Sequence, residues 1–378
     1  MSWDYATLDQ LGTISRGKSK HRPRNDKKLF GGKYPFIQTA DVKSAGLYLT
    51  EFSETYNEYG LQQSKLWKAG TLCITIAANI ADTAILGIDA CFPDSIMGFI
   101  PFEGVANVKF VKYAFDILQR DCQKISQGTA QDNLSWKKLS TIKFPAPPIE
   151  VQNKIVNIIS TYDELIENNR KQIKLLEEAA QRLYKEWFVD LKFPGYEDVV
   201  IVDGIPKGWR KVNLPEIAPI ITGKKDANFG SADGQYLFFT CAQEPIKASS
   251  FSFDCDAVIL AGNGDFNVKL YRGKFEAYQR TYVFSPYNQK YLYLLYYAVK
   301  ENMRQLFQGA SGSTIKFLTK RMLEEILIFN PNEEVIKLFN QYCEQFQKKI
   351  EILKAQILIA QEARDRLLPK LMNGEIEV

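Results

Sequence analysis

Apolar side chains recur at alternating steps of four and three residues along two long stretches of this chain. The first runs Ile155, Ile159, Tyr162, Ile166, Asn169, Ile173, Leu176, Ala180, Leu183 and Trp187. The second runs Phe339, Cys343, Phe346, Ile350, Leu353, Ile357, Ala360, Arg364, Leu367 and Leu371. A mean spacing of 3.5 keeps one seam on one side of a slightly underwound helix, the geometry of a coiled coil. The pattern persists for more than four heptads, beyond an ordinary amphipathic helix. Each stretch predicts a helix of about 40 residues, roughly 60 Å at 1.5 Å per residue. Pro147-Pro148 precedes the first and Pro331 the second, where helix entry tolerates proline. Pro194-Gly195 and Asn373-Gly374 lie beyond the ends as stop signals. Asn169 sits inside the seam, where a polar residue can fix register, and Arg364 can snorkel at its edge. Each stretch offers one seam, so antiparallel pairing within the chain is expected, placing two globular domains at opposite ends about a pseudo-dyad. Pairing with helices of another chain is the alternative.

The helices belong to a longer repeat. Shifting the sequence by 184 residues lays 126–188 on 310–372 without a gap, with Gly128 on Gly312, Leu134 on Leu318, Leu139 on Leu323, Ile142 on Ile326 and Pro147 on Pro331. The opening repeats at an offset of 206, where Trp3, Leu8, Leu11, Ile14, Gly17 and Lys18 match Trp209, Leu214, Ile217, Ile220, Gly223 and Lys224. The first copy therefore carries 22 more residues in its middle. Units of this size are duplicated domains rather than solenoid repeats. Like ends and unlike middles describe one scaffold carrying two different reading surfaces.

Between these landmarks, apolar runs punctuated by Gly and Pro predict strands at 34–39, 71–77, 83–88, 98–102 and 105–111, then a helix at 112–125. The second copy predicts strands at 236–241, 257–261, 267–272 and 278–284 and a Tyr-rich helix at 289–307. A small polar loop follows the helix in each copy, 126–133 and 308–314. Residues 191–208, with Pro194, Gly195, Gly204, Pro206 and Gly208, form the linker.

Net charge is only +4, but it is uneven. Residues 16–33 hold Arg16, Lys18, Lys20, Arg22, Arg24, Lys27, Lys28 and Lys33 against the single acid Asp26. This Gly- and Pro-bearing stretch reads as a basic loop, a candidate phosphate-contact surface. Lys224 and Lys225 are its counterparts in the second copy. Candidate base-reading residues are Gln127, Thr129 and Gln131 in the first polar loop and Ser311, Ser313 and Lys316 at the second. Gln243, Asn263 and Lys269 join them as strand-edge residues. Short donors and acceptors of this kind read base edges or phosphates, and they also make ordinary turns.

Catalytic chemistry finds little support. Gly12-Thr13-Ile14-Ser15-Arg16-Gly17-Lys18-Ser19 satisfies the phosphate-loop pattern. That loop needs a buried strand before it and a helix after it, and the flanks predict neither. The second copy has Ala218 and Lys225 where Gly12 and Ser19 stand. The string 261–265 lacks the third glycine of a dinucleotide turn. His21 is the sole histidine, and the cysteines at 73, 91, 122, 241, 255 and 343 form no C-x-x-C pair, so no metal site and no catalytic residue is assigned. No apolar run reaches membrane length, and a cytoplasmic protein with free thiols is expected. A phosphate-loop enzyme and a helical assembly adaptor without DNA contact remain as alternatives.

The strings 139–152, 183–188, 193–197, 205–209 and 367–376, in the order variable region, long helix, variable region, long helix, resemble the specificity subunit of type I restriction–modification enzymes. The resemblance spans essentially the whole chain. It implies an α+β fold with two pseudo-symmetric mixed α/β target-recognition domains, 1–148 and 209–330, separated by an intramolecular antiparallel coiled coil of two long helices, the first at 149–190 and the second, with the C-terminal tail, at 331–378. It implies double-stranded DNA as ligand, one half of a split site read by each domain, and a spacer set by the coiled coil. Two methyltransferase subunits, and restriction subunits in the full complex, are the implied partners. S-adenosylmethionine is expected on the methyltransferase, with no cofactor on this chain. Gln152, a typical residue at the first helix entry, is Ile336 in the second copy.

Overall fold

The computed structural model describes residues 3–76, 81–126, 139–264, 266–310 and 316–378. The chain divides into two compact units, Met1–Lys171 with Lys354–Val378 and Gln172–Leu353. Four helices matter most: α1 (Val108–Ser126), α2 (Ile149–Phe188), α3 (Leu292–Gly309) and α4 (Glu333–Met372). The starts of α3 and α4 and the end of α4 fall 184 residues after those of α1 and α2, the offset the sequence repeat predicts. Gly374, with φ near 76°, takes the left-handed turn that stops α4. Leu191 adopts a similar φ of 57° just past Phe188, so α2 ends before Pro194-Gly195 is reached.

The first unit holds a five-stranded sheet in the order Gly12–Arg16, Ile96–Pro101, Leu72–Thr75, Thr83–Leu86, Tyr48–Leu49, antiparallel except for the last pair. A four-stranded sheet, Glu54–Tyr56, Phe30–Phe36, Ala90–Cys91, Leu66–Trp67, stands in the region where this copy is longer. The second unit holds a six-stranded sheet: Ile221–Thr222, Thr281–Phe284, Phe253–Ala261, Val268–Ala277, Tyr236–Phe239, Ile246–Ala248.

The repeat reaches residue-level register. Tyr5 pairs with Pro145 and Ala6 with Phe144. Lys211 pairs with Phe329 and Val212 with Ile328, the same partners after the two offsets are applied. A short helix follows each strand, and each opens with a capping box, Thr7 with Gln10 and Asn213 with Glu216.

The expected strand at 105–111 is not one. A turn leads into α1 at Val108, where the Asn107 carboxamide accepts from the Lys109 N–H at 2.9 Å. Ala106, Val108 and Phe110 alternate as in a strand. Phe110, Val111, Ala114 and Phe115 bury a helical face, and that longer period wins. Gln152 is buried and fully employed inside its unit. It accepts from the Asn107 N–H at 2.9 Å and donates to Val105 and Pro147 carbonyls at 3.0 and 2.8 Å. Ile336 at the same place fills the second core with an apolar group.

Seam residues of both helices are buried or half-buried. In the first unit, α2 supplies Ile155, Val156 and Ile159 to the core, and α4 supplies Leu368, Leu371 and Met372. In the second, α4 supplies Ile336, Phe339 and Cys343, and α2 supplies Ala180, Tyr184, Trp187 and Phe188. The pairing is antiparallel in each. Asp163 meets Arg364 at 2.7 Å while Asn169, further along α2, donates to Gln356, earlier on α4, at 3.2 Å. Trp187 and Tyr184 pack on Phe339 in the second unit.

Arg364 therefore does more than snorkel. Its guanidinium meets one oxygen of Asp163, whose side chain is only 7% exposed, and the Tyr113 hydroxyl donates to the other at 2.6 Å. Removing one member of such a pair strands a buried charge. Arg364→Ala should destabilise the first unit by roughly 2–4 kcal/mol, and Asp163→Asn added to it should recover part of that loss. A urea-denaturation double-mutant cycle measures both. Equal stability of Arg364→Ala and wild type would contradict this role.

Candidate nucleic-acid interface

The basic stretch of the first unit is held in place by its backbone. Gly12–Arg16 is extended and paired with Ile96–Pro101, so the phosphate-loop string is a strand rather than a cradle. After it, Gly17 N–H donates to Ile96 at 2.8 Å, Lys18 N–H to Phe92 at 3.0 Å and Lys20 N–H to Gln63 at 3.0 Å. Ser64 caps the Lys18 carbonyl at 2.7 Å. Residues 30–33, expected as loop, belong to the strand Phe30–Phe36.

This frame sorts the cations. Arg22 folds back to donate to the carbonyls of Ser19 and His21 at 2.6 and 2.8 Å. Arg24 is paired with Asp94 at 2.7 Å and Lys33 with Glu58 at 3.3 Å. Arg16, Lys18, Lys20 and Lys27 are exposed without a carboxylate partner among the described residues. Lys28 is exposed beside Asp26. The Lys28 N–H, and then His21, hold the Asp26 carboxyl below its ordinary range. Asp26 thereby caps the turn Lys27–Leu29 that carries two of the lysines. His21 is bracketed by Asp26 at 2.9 Å and the Tyr59 hydroxyl at 3.3 Å. Beside this frame lies a cleft of about 590 Å³ lined by Ser19, Arg24, Asn25, Lys27, Gln38 and Glu54, among others.

In the second unit, the loops at one end of the six-stranded sheet converge. Gly223 N–H donates to Thr281, Gln279 N–H to Lys225 and Gly262 N–H to Arg280, at 3.1, 2.9 and 2.8 Å. Lys224 is exposed, and Lys225 lies over the Phe229 ring at 4.3 Å. Asn263 bridges Phe317, next to exposed Lys316, whose ammonium lies 4.1 Å from the Phe307 ring. Lys224, Lys225 and Asn263 therefore gather around the turn at 278–280, and the loop preceding Gln243 reaches it through the Cys241 thiol.

Two expectations change here. Lys269 does not stand at a strand edge. Its strand is interior to the sheet, it pairs with Ile259, and its ammonium donates to the Ala242 carbonyl at 2.9 Å, tying down the loop that carries Gln243. The strand expected at 278–284 begins only at Thr281, so Gln279 and Arg280 stand in a turn. Gln127, Thr129, Gln131, Ser311 and Ser313 lie outside the described residues.

Lys65, exposed with its ammonium 3.6 Å from the Trp67 ring, and Arg280 were not anticipated. Both are single cations with no local pattern around them, and only long-range packing brings them to these surfaces. Among the described residues no cluster of His, Cys, Asp or Glu could hold a metal ion, and no helix is long and apolar enough to cross a membrane.

Residues 2–178 and 206–361 match the family described as type I restriction modification DNA specificity domain. The chain is 25% identical to the type I restriction enzyme MjaIX specificity subunit of Methanocaldococcus jannaschii, covering 100% of this chain and 94% of that one. It is 38% identical to the EcoDI specificity subunit of Escherichia coli over 46% of this chain and 39% of that protein. The crystal structure of a type I restriction–modification S subunit from M. genitalium superposes with a TM-score of 0.57 at 16% identity, covering 98% and 96% of the two chains.

The four exposed lysines before the strand Phe30–Phe36 yield a quantitative prediction. Replacing Lys18, Lys20, Lys27 and Lys28 together with Ala should weaken binding to any duplex and flatten the plot of log affinity against log salt by about 0.9 for each phosphate no longer neutralised. Arg24→Ala should change the slope less, because Asp94 already neutralises that guanidinium. Fluorescence anisotropy across a salt series reads both, and an unchanged slope in the quadruple variant would exclude the loop from DNA.

Proposed function

The chain belongs to the type I restriction–modification DNA specificity family, and we propose that it is the sequence-reading subunit of such a complex, taking double-stranded DNA as a split target with one half read by each repeat. One observation carries the reading. Two copies of one scaffold, matched to the residue in strand pairing and in the limits of their 40-residue helices, display different side chains on their loops. Duplicated scaffolds with unlike loops suit a target of two unlike parts.

Within this proposal the roles divide. Lys18, Lys20, Lys27 and Lys28 in one unit and Lys224 in the other contact phosphates and set position on the duplex, without sequence information. The exposed polar side chains of the loops read base edges. α2 and α4, each 40 residues and continuous, set the number of unread base pairs between the halves. Two methyltransferase subunits carry S-adenosylmethionine and the methyl-transfer chemistry, and restriction subunits complete the assembly. This chain supplies address rather than reaction.

Sequencing modified bases in cells that express the chain with its methyltransferase should return one two-part motif with a fixed gap. Seven residues inserted after Lys171 and after Leu353 preserve heptad phase and lengthen both helices by about 10 Å. The gap should then grow by about three base pairs, at 3.4 Å each, with both halves unchanged. A continuous motif would overturn the split-target reading, and an unchanged gap would remove the helices from the spacing role.

A further inference from the structure

The turn at Tyr278–Thr281 gathers more of its unit's loops than any local sequence pattern announces. Thr281 N–H closes it onto the Tyr278 carbonyl at 2.8 Å, leaving Gln279 and Arg280 as its two central residues. Three neighbours lock it. The first is loop 223–226, joined through Gln279 N–H to Lys225 and through the Gln279 carboxamide to Asp226 at 2.8 Å. The second is loop 239–242, joined through Tyr278 N–H to Phe239 at 3.0 Å and through the Cys241 thiol to the Arg280 carbonyl at 3.6 Å. The third is Gly262, whose N–H donates to that same carbonyl at 2.8 Å.

Two of these approaches demand glycine. A Cβ on Gly223 would lie 2.0 Å from the Ala277 carbonyl oxygen, and one on Gly262 would lie 2.5 Å from that of Arg280. While the Arg280 backbone is fixed from several sides, its side chain is exposed, and no described carboxylate or carbonyl accepts from its guanidinium. A free planar fork on a rigid mount suits bidentate recognition, whereas a mobile lysine suits a point phosphate contact.

The first repeat has the same turn with other contents. Ile96 N–H closes it onto Pro93 at 3.1 Å, and Gly17 packs beneath it as Gly223 does beneath its counterpart. Its central residues are Asp94 and Ser95, and Asp94 holds Arg24. One turn, mounted alike in both repeats, thus carries a free arginine in one, whereas in the other Ser95 stands at that place and the neighbouring Asp94 binds Arg24 of the basic stretch. Phosphate contact would demand no such difference, whereas base reading would.

From this we infer that Arg280 is a specificity-determining residue of the second repeat, reading a guanine through its O6 and N7 in the major groove. The inference rests on the split-target reading above and goes beyond it by naming one residue and one base. Lys224 beside it sets the phosphate register.

The test is modified-base sequencing of cells expressing wild type, Arg280→Ala or Arg280→Lys with the methyltransferase, together with selection of bound sequences from a random duplex library by each purified complex. The wild-type motif should contain a G·C pair in the half read by the second repeat. Arg280→Ala should lose roughly 5- to 150-fold preference at that one position, while the other half and the gap stay as they were. Arg280→Lys should retain part of the preference. Uniform loss at every position in the library selection, or an unchanged motif, would overturn the assignment, as would a second half without a G·C pair. A wild-type complex that yields no two-part motif would refute the broader reading instead.

Discussion

Each globular core is closed by a helix end that the other repeat supplies, and the rest of the structure depends on that exchange. Leu368, Leu371 and Met372, the last residues of α4, are buried in the unit that begins the chain. Tyr184, Trp187 and Phe188, the last residues of α2, are buried in the unit that contains the second repeat. Full burial of one large apolar side chain contributes about 1.5–3 kcal/mol. Three such groups match a large part of a domain's net stability, so neither repeat completes its core alone. The seam adds selectivity to this energy. Asp163, Arg364 and Tyr113 satisfy one another in one arrangement, and Asn169 with Gln356 favours the same register. A slipped pairing would leave those polar groups buried and unmatched.

That division of labour separates scaffold from reading surface. Strand pairing, capping boxes and helix limits coincide between the repeats because they support the exchanged core. Loops lie outside it and are free to differ. The extra residues of the first copy stand where a four-stranded sheet has been built beside the basic stretch. In the second copy, the corresponding surface is a set of loops drawn around one turn. DNA-binding affinity without sequence preference follows from cations alone. Discrimination requires groups held rigidly enough to reject the wrong base, and the backbone of Arg280 is held in that way by its own turn, by Gly262 and by Cys241.

Legibility in the sequence followed the range of the interactions. The long helices were readable because a 3.5-residue period is local and persists for many turns. Their stop signals lie beyond the helix ends as expected, although the left-handed residue that follows α2 is Leu191 rather than a glycine. At 105–111, Ala106, Val108 and Phe110 satisfy two periods at once, and only packing of the later turns decides between them. The positive charge of the basic stretch was plain, yet its sorting was not. Arg24 and Asp94 lie 70 residues apart, so no window of sequence shows that this guanidinium is already paired. Arg280 was hidden inside an expected strand, because the turn that frees it is defined by partners near 225, 241 and 262. Lys269 is the opposite case, since no local pattern shows that its strand lies inside the sheet or that its ammonium donates to the Ala242 carbonyl.

The reciprocal closure of the cores can be tested on the chain itself. Ending it after Leu353 removes no residue of the first repeat, but it takes away the α4 segment buried in the first unit. Hydrogen exchange resolved along the chain should then lose protection in Leu72–Thr75 and Ile96–Pro101 while Phe253–Ala261 stays protected. Full protection of the first unit in that shortened chain would mean that each repeat folds on its own, and the account would be wrong.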